Sequence, residues 1–134
     1  MHKRNIVAAG TPIDQAEKAM IFIHGRGADA RGILEIAGTL NVKGFALLAP
    51  QATGNTWYPY SFLSPVEMNE PWLSSAIATI HELIDDVVEA GIRTENIYLL
   101  GFSKGACLTL ESAARKGQRY GGLIAFTGGL IGEN

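Results

Sequence analysis

Ile97-Tyr98-Leu99-Leu100-Gly101-Phe102-Ser103-Lys104-Gly105-Ala106-Cys107 begins as an apolar strand, breaks into Gly-x-Ser-x-Gly and continues as the start of a helix. A serine on such a sharp strand-to-helix turn projects its hydroxyl past the end of a sheet, and the flanking glycines let neighbouring backbone pack against the turn. The stretch reads as the nucleophile elbow of a serine hydrolase. Its histidines are arranged unusually. His2, His24 and His81 all precede Ser103, whereas the chain order for this elbow is Ser, then Asp or Glu, then His.

Working outward, composition bounds the rest. With 134 residues, 47% of them hydrophobic and 18% charged, the chain buries one core, removing roughly two-thirds of its unfolded surface from water. A single domain over 1–134 is expected. Eleven Lys and Arg against thirteen Asp and Glu leave a formal charge of −2, with no basic face to neutralise phosphates, so nucleic acid is excluded as a partner. The single Cys107 cannot form an intrachain disulfide, and no zinc-type spacing of Cys and His occurs. No metal or cofactor is expected. Met1 to Ala9 lacks the apolar stretch of a signal peptide, and no run of about 18 apolar residues spans a bilayer. These absences predict a cytoplasmic protein without a membrane partner.

Short apolar runs alternate with longer helical patterns, the signature of βαβ units and a mostly parallel sheet with helices on both faces. Strands are predicted over Asn5 to Ala9, Ala19 to His24, Phe45 to Ala49, Asn96 to Gly101 and Gly121 to Thr127. A first helix follows Asp29 as N-cap and runs to about Leu40. A second runs from about Glu70 to Ala90, with Asn69 as cap, Pro71 in its first turn and Gly91 at its left-handed end. Its predicted stripe is Leu73, Ala76, Ile77, Ile80, Leu83, Ile84, Val87 and Val88. A third starts at the elbow, turns Ala106, Cys107, Leu110, Ala113 and Ala114 to the sheet, and ends near Gly117.

Ile21-Phe22-Ile23-His24-Gly25-Arg26-Gly27 is a second apolar strand ending in a glycine-rich turn. Acyl transfer needs preorganised donors for the negative charge that develops on the carbonyl oxygen. The backbone amides of Arg26, in this turn, and of Lys104, after the nucleophile, are the natural pair. Between the two motifs, Pro50 to Met68 is the longest irregular segment and contains Trp57-Tyr58-Pro59-Tyr60-Ser61-Phe62. It follows the carboxyl end of a strand, where open α/β sheets place ligands. Trp57 and Tyr58 are therefore candidate substrate-binding residues; the alternative is that these aromatics seal the edge of the core.

His24-Gly25-Arg26-Gly27, Ala49-Pro50-Gln51, Trp57-Tyr58-Pro59, Asn69-Glu70-Pro71-Trp72 and Gly101-Phe102-Ser103-x-Gly105-Ala106 together resemble the bacterial phospholipase/carboxylesterase family. That family has the α/β-hydrolase fold and is related to acyl-protein thioesterases and dienelactone hydrolases. The resemblance implies a cofactor-free serine esterase that cleaves carboxylic esters or thioesters of small molecules through an acyl-enzyme on Ser103, with the Arg26 and Lys104 amides as oxyanion donors. The residue after the nucleophile is usually Gln in the family; Lys104 departs from this but keeps the backbone donor. In relatives the Gly-Gly-Leu-Ile-Gly found here at Gly128 to Gly132 is followed by two more strands and a last helix carrying the triad Asp and His, whereas this sequence stops at Asn134. The expectation is a partial α/β-hydrolase domain lacking those last strands and helix. The alternative to an active esterase is a catalytically incomplete unit that needs a second segment.

Other residues carry plainer readings. His24, beside Gly-x-Gly, is expected to brace the turn; His81, off the helical stripe, to be a solvated surface residue; His2 to belong to a frayed terminus. Cys107 is expected to be a small core residue. With the last strand uncovered, Gly121 to Thr127 is an exposed sheet edge, which predicts a homo-oligomer joined there.

Overall fold

The computed structural model describes residues 2, 5–25, 28–35, 43–58, 66–102, 104–116 and 120–126. Near-continuous apolar runs form the strands: β1 (Ile6–Gly10), β2 (Lys18–Ile23), β3 (Phe45–Pro50), β4 (Ile97–Phe102) and β5 (Gly122–Phe126). Each lies within a residue of its predicted bounds. They make one sheet in the order β1-β3-β2-β4-β5. β1 runs antiparallel to β3, with Ile6 opposite Pro50 and Gly10 opposite Ala46, and the remaining pairs are parallel.

Alternation along the central strands divides the interior into two layers, because successive side chains point to opposite faces. Ala19, Ile21, Ile23, Ile97 and Leu99 face one layer, and Met20, Phe22 and Leu100 the other. The first layer is covered by α3 (Trp72–Glu89) and α4 (Lys104–Lys116), the second by α1 (Ala30–Leu34). A short α2 (Val66–Asn69) precedes α3. The fold is that of an α/β hydrolase, mostly parallel, with helices on both faces.

The helix ends show which local signals act. Asp29 caps α1, its Oδ1 accepting from the Gly32 amide at 2.7 Å; the predicted end near Leu40 lies outside the described residues. α3 buries Leu73, Ala76, Ile77, Ile80, Leu83, Ile84 and Val87, while Val88, predicted on the same stripe, is 41% exposed. The predicted cap Asn69 instead ends α2 as a buried residue. Pro71, predicted within the first turn, is the N-cap of α3; one residue ahead of it the Glu70 carboxylate accepts from the Ser74 amide at 2.8 Å and from the Ser74 hydroxyl, an anion at the positive end of the helix. At the other end Gly91 (φ 104°) donates to Val88 O and Ile92 to Val87 O, the paired bonds of a Schellman motif that satisfy the last carbonyls.

The buried face of α4 overlaps the predicted one in Cys107 and Ala113 and extends beyond it. Cys107, Leu108, Thr109, Ser112 and Ala113 are buried, whereas Leu110 is half-buried and Ala114 exposed; the Ala106 side chain and Gly117 lie outside the described residues. Gly105, Leu108, Thr109 and Ser112 follow the i, i+3, i+4, i+7 spacing of one helix face. Gly105 approaches the end of β2 closely on this side, a contact that apolar periodicity does not record.

Candidate active site

β2 and β4 end level with each other, Ile23 opposite Gly101. The turn after β2 and the junction from β4 to α4 consequently stand side by side at the carboxyl end of the parallel strands, where open α/β sheets bind ligands. The two glycines of the serine motif are required there by contact. A Cβ at Gly101 would fall 2.3 Å from Gly105 O and 2.5 Å from Thr109 Oγ1, and one at Gly105 only 2.1 Å from Ile23 O and 2.6 Å from His24 O. α4 thus begins with its backbone against β4 and the end of β2, and Thr109 Oγ1 donates to Gly105 O at 2.8 Å. The first residues of this 13-residue helix carry amides without intrahelical acceptors and the positive end of its dipole.

Beside this junction, the Ala28 amide donates to Gly25 O at 3.2 Å and closes the turn that follows β2. An open pocket of about 240 Å³ lies between turn and junction, lined by His24, Gly25, Ala28, Gly32, Ile33 and Phe102. Its walls are mostly apolar.

Three successive residues after β3 hold the turn from below. Gln51 Oε1 accepts from the Ala30 amide at 2.8 Å, tying β3 to the start of α1. The Ala52 amide donates to His24 Nε2 at 3.0 Å. The Thr53 amide donates to His2 Nδ1 at 3.1 Å. Because His24 Nε2 accepts, its proton resides on Nδ1, which donates to Gly25 O at 2.8 Å. The ring is fully buried and stacks on Trp57 with centroids 5.1 Å apart, and Trp57 Nε1 donates to His24 O at 2.9 Å. Burial holds His24 below its usual value of 6.5, against smaller opposing effects from the Gly25 carbonyl and Asp29. It is a neutral brace with both nitrogens engaged, as the sequence led us to expect.

The predicted site residues divide accordingly. Ser103 and Arg26 lie outside the described residues; the elements on either side of each, β4 with α4 and His24-Gly25 with Ala28, are brought together as above. Lys104 is the first residue of α4. Trp57 and Tyr58, expected to bind substrate, are both 0% exposed and belong to the core cluster over α3 and α4. Trp57 underlies the wall, its ring against His24. Tyr58 borders a cavity of about 100 Å³ with Thr53, Thr56 and Trp72. Burial first, then Cys107 and Glu111, push its phenol far above the usual range, so it stays a neutral hydroxyl.

Two histidines are placed differently from expectation. His81 is half-buried, its Nε2 3.0 Å from Ser112 O, and joins α3 to α4. His2 is half-buried and tied down: its amide donates to Ser75 Oγ at 3.0 Å, and its Nε2 donates to Trp57 O at 2.7 Å. The ring also meets Trp57 and Trp72, with centroids 5.2 and 5.3 Å away. No local sequence signal announces this, because its partners lie 51 to 73 residues away. Among the described residues no group of three or more His, Cys, Asp or Glu could hold a metal ion, and no helix is long and apolar enough to cross a membrane.

Comparison with known proteins bears on this arrangement. The solved structure of a phospholipase/carboxylesterase from Dyadobacter fermentans DSM 18053 superposes with a TM-score of 0.98 at 48% identity, covering 99% of this chain and 64% of that one. The esterase PE8 superposes with a TM-score of 0.80 at 20% identity, over 96% and 66% of the two chains, and shows the fold alone. Acyl-protein thioesterase 1 of Schizosaccharomyces pombe is 30% identical over 124 residues, 83% of this chain and 55% of that protein. A probable carboxylesterase, SOBER1-like, of Arabidopsis thaliana is 38% identical over 60 residues, 45% of this chain and 23% of that one. The chain thus spans between about a quarter and two-thirds of the lengths of these relatives. The family model described as Phospholipase/Carboxylesterase matches residues 4–134, and with the level strand ends and glycine-packed junction described above, this chain belongs to the phospholipase/carboxylesterase family.

Proposed function

We propose that the chain carries the nucleophile and oxyanion parts of a serine hydrolase for carboxylic esters, with Ser103 attacking the ester carbonyl to give an acyl-enzyme. The observation that carries this reading is the backbone packing of Gly105 against Ile23 and His24, which supports an elbow at the start of α4 working with the turn after β2. In the mechanism, Ser103 Oγ adds to the carbonyl carbon, its proton passes to a base, and the tetrahedral oxyanion is met by the amides of Arg26 and Lys104. The positive end of α4 favours the same charge. Expulsion of the alcohol or thiol leaves the acyl group on Ser103, and water then releases the acid. The substrates are small-molecule esters with an apolar group matched to the pocket along Ala28, Ile33 and Phe102. Buried Cys107 accords with a reducing, cytoplasmic setting.

The base is the discriminating point. His24 has both nitrogens in backbone hydrogen bonds, His2 likewise, and His81 joins α3 to α4. This favours a second reading, in which the chain is an incomplete hydrolase whose base comes from another segment. Intact mass measurement after reaction with a serine-directed fluorophosphonate separates the two. One adduct per chain, lost in Ser103→Ala, supports an activated Ser103; a folded chain without adduct supports the incomplete reading, and restoration by the carboxyl-terminal portion of a relative would establish it. For an active preparation, Ser103→Ala should lower turnover by about a millionfold, leaving roughly 10³ to 10⁴ over water from oxyanion hole and binding. The homo-oligomer expected at β5 is tested by light scattering at micromolar concentration, where a monomer would remove it.

A further inference from the structure

The amides of Ala52 and Thr53 are adjacent in the chain, and each donates to an imidazole: Ala52 to His24 Nε2 at 3.0 Å and Thr53 to His2 Nδ1 at 3.1 Å. The two rings come from opposite directions, one from the end of β2 and the other from ahead of β1, and both rest on Trp57. Each passes its own proton to a backbone carbonyl, His24 Nδ1 to Gly25 O at 2.8 Å and His2 Nε2 to Trp57 O at 2.7 Å. The arrangement requires opposite tautomers, Nδ1–H in His24 and Nε2–H in His2. It also requires both rings to be neutral. A proton added to either accepting nitrogen would set two N–H donors against each other at about 3 Å, which removes the hydrogen bond and replaces it with repulsion.

We propose that His2 and His24 form an acid-sensitive clamp on Ala52-Thr53, and that His2, acting through Trp57, is a positioning residue for the turn that carries Arg26. The path is continuous: His2 holds Trp57 O, the Trp57 ring lies against His24 and its Nε1 holds His24 O, and His24 is followed directly by Gly25 and Arg26. On protonation of His2 the Thr53 bond opens first, since this ring is half-buried while His24 is enclosed.

The surroundings set the direction of the switch. His2 meets Thr53 and Trp57 from the segment after β3 and Trp72 and Ser75 from α3, none of them charged. Burial, the amino-terminal charge and His24 lower its proton affinity, and only the Trp57 carbonyl opposes them. For His24 the opposing charge is Asp29, at the cap of α1, and burial outweighs it. Both rings are therefore neutral at pH 7 and titrate below 6.5.

The clamp stands on geometry alone; only its consequence for catalysis rests on the esterase reading. Two-bond ¹H–¹⁵N correlation spectra of the imidazoles in the unmodified chain, recorded from pH 8 to 5, test it without any assay of activity. Expected are one fixed Nε2–H and one fixed Nδ1–H pattern at pH 7.5, a His2 midpoint below 6.5, and a Thr53 amide resonance that moves with that midpoint. His2→Gln, which does not titrate, should abolish the Thr53 movement while the Trp57 environment is retained. A His2 ring that averages its tautomers and titrates at its ordinary value, or a Thr53 amide indifferent to it, overturns the proposal. Where fluorophosphonate labelling is present, its rate should fall with the His2 midpoint in the unmodified chain and lose that component in His2→Gln. A labelling rate that ignores the midpoint would remove the positioning role even if the clamp exists.

Discussion

The two sides of the candidate site are held by different physics. On the elbow side, α4 meets β4 and β2 mostly backbone to backbone, through glycines at which a Cβ would lie 2.1 to 2.8 Å from its neighbours. On the wall side, the segment Gln51 to Tyr58 is held by side chains that reach across sequence: Gln51, His24, His2 and the buried Trp57. Close packing has no titratable part and tolerates no added atom. Hydrogen bonds to imidazole tolerate changes of volume better and changes of pH worse. The elbow should thus fail by mutation of its smallest residues, and the wall by truncation of its largest or by acid.

The sharpest break is Trp57→Ala. It removes a fully buried indole on which both imidazoles rest, and should cost about 3–5 kcal/mol, measured by urea denaturation. Trp57→Phe keeps most of the ring and loses the bond to His24 O, for a cost nearer ~1 kcal/mol; equal losses in the two variants would mean that the hydrogen bond, and not the packing, holds the wall. On the elbow side, Gly105→Ala should cost about 1–3 kcal/mol and abolish fluorophosphonate labelling, because the added methyl meets the Ile23 carbonyl, which cannot turn aside. Retained labelling would show that α4 can shift without displacing its first turn.

Acid distinguishes the regions in the unmodified chain. His2 and His24 both have folded-state values below 6.5, so between those values and 6.5 the unfolded chain binds protons that the folded chain refuses. Their influence is absent above about pH 6.5, and stability falls as the pH drops from there toward the folded values. Denaturation midpoints at pH 7.5, 6.5 and 5.5 should show this decline, reduced in His2→Gln. The smallest effect is expected outside both regions: Asp29→Ala loses the cap bond to Gly32 at a cost of about 1 kcal/mol, without altering the pH of the Thr53 transition.

The strands and the two motifs were legible because burial on a sheet and tight turns write themselves into adjacent residues. Ile97 to Gly105 shows its apolar run and its glycines without reference to anything distant, and so does Asp29 as a cap. The wall was not legible. Trp57 and Tyr58 look the same in sequence whether they touch a ligand or fill a core, and only the three-dimensional arrangement puts them inside. His2 reads as a terminal residue because its partners Thr53, Trp57 and Ser75 lie on other elements. The predicted Asn69 cap fails for a similar reason, since Asn69 is the buried end of α2 and the cap of α3 falls at Pro71. Of the candidate nucleophile and donors, the supports are visible in the fold, while Ser103 and Arg26 are carried by motif.

The antiparallel pairing of β1 has a practical consequence. With Ile6 opposite Pro50, the first strand starts at the end of the sheet where the parallel strands finish, which is what lets His2, ahead of β1, reach Thr53 and Trp57 in the segment after β3. A change at His2 is therefore felt 51 to 73 residues further along the chain, at Thr53, Trp57 and Ser75.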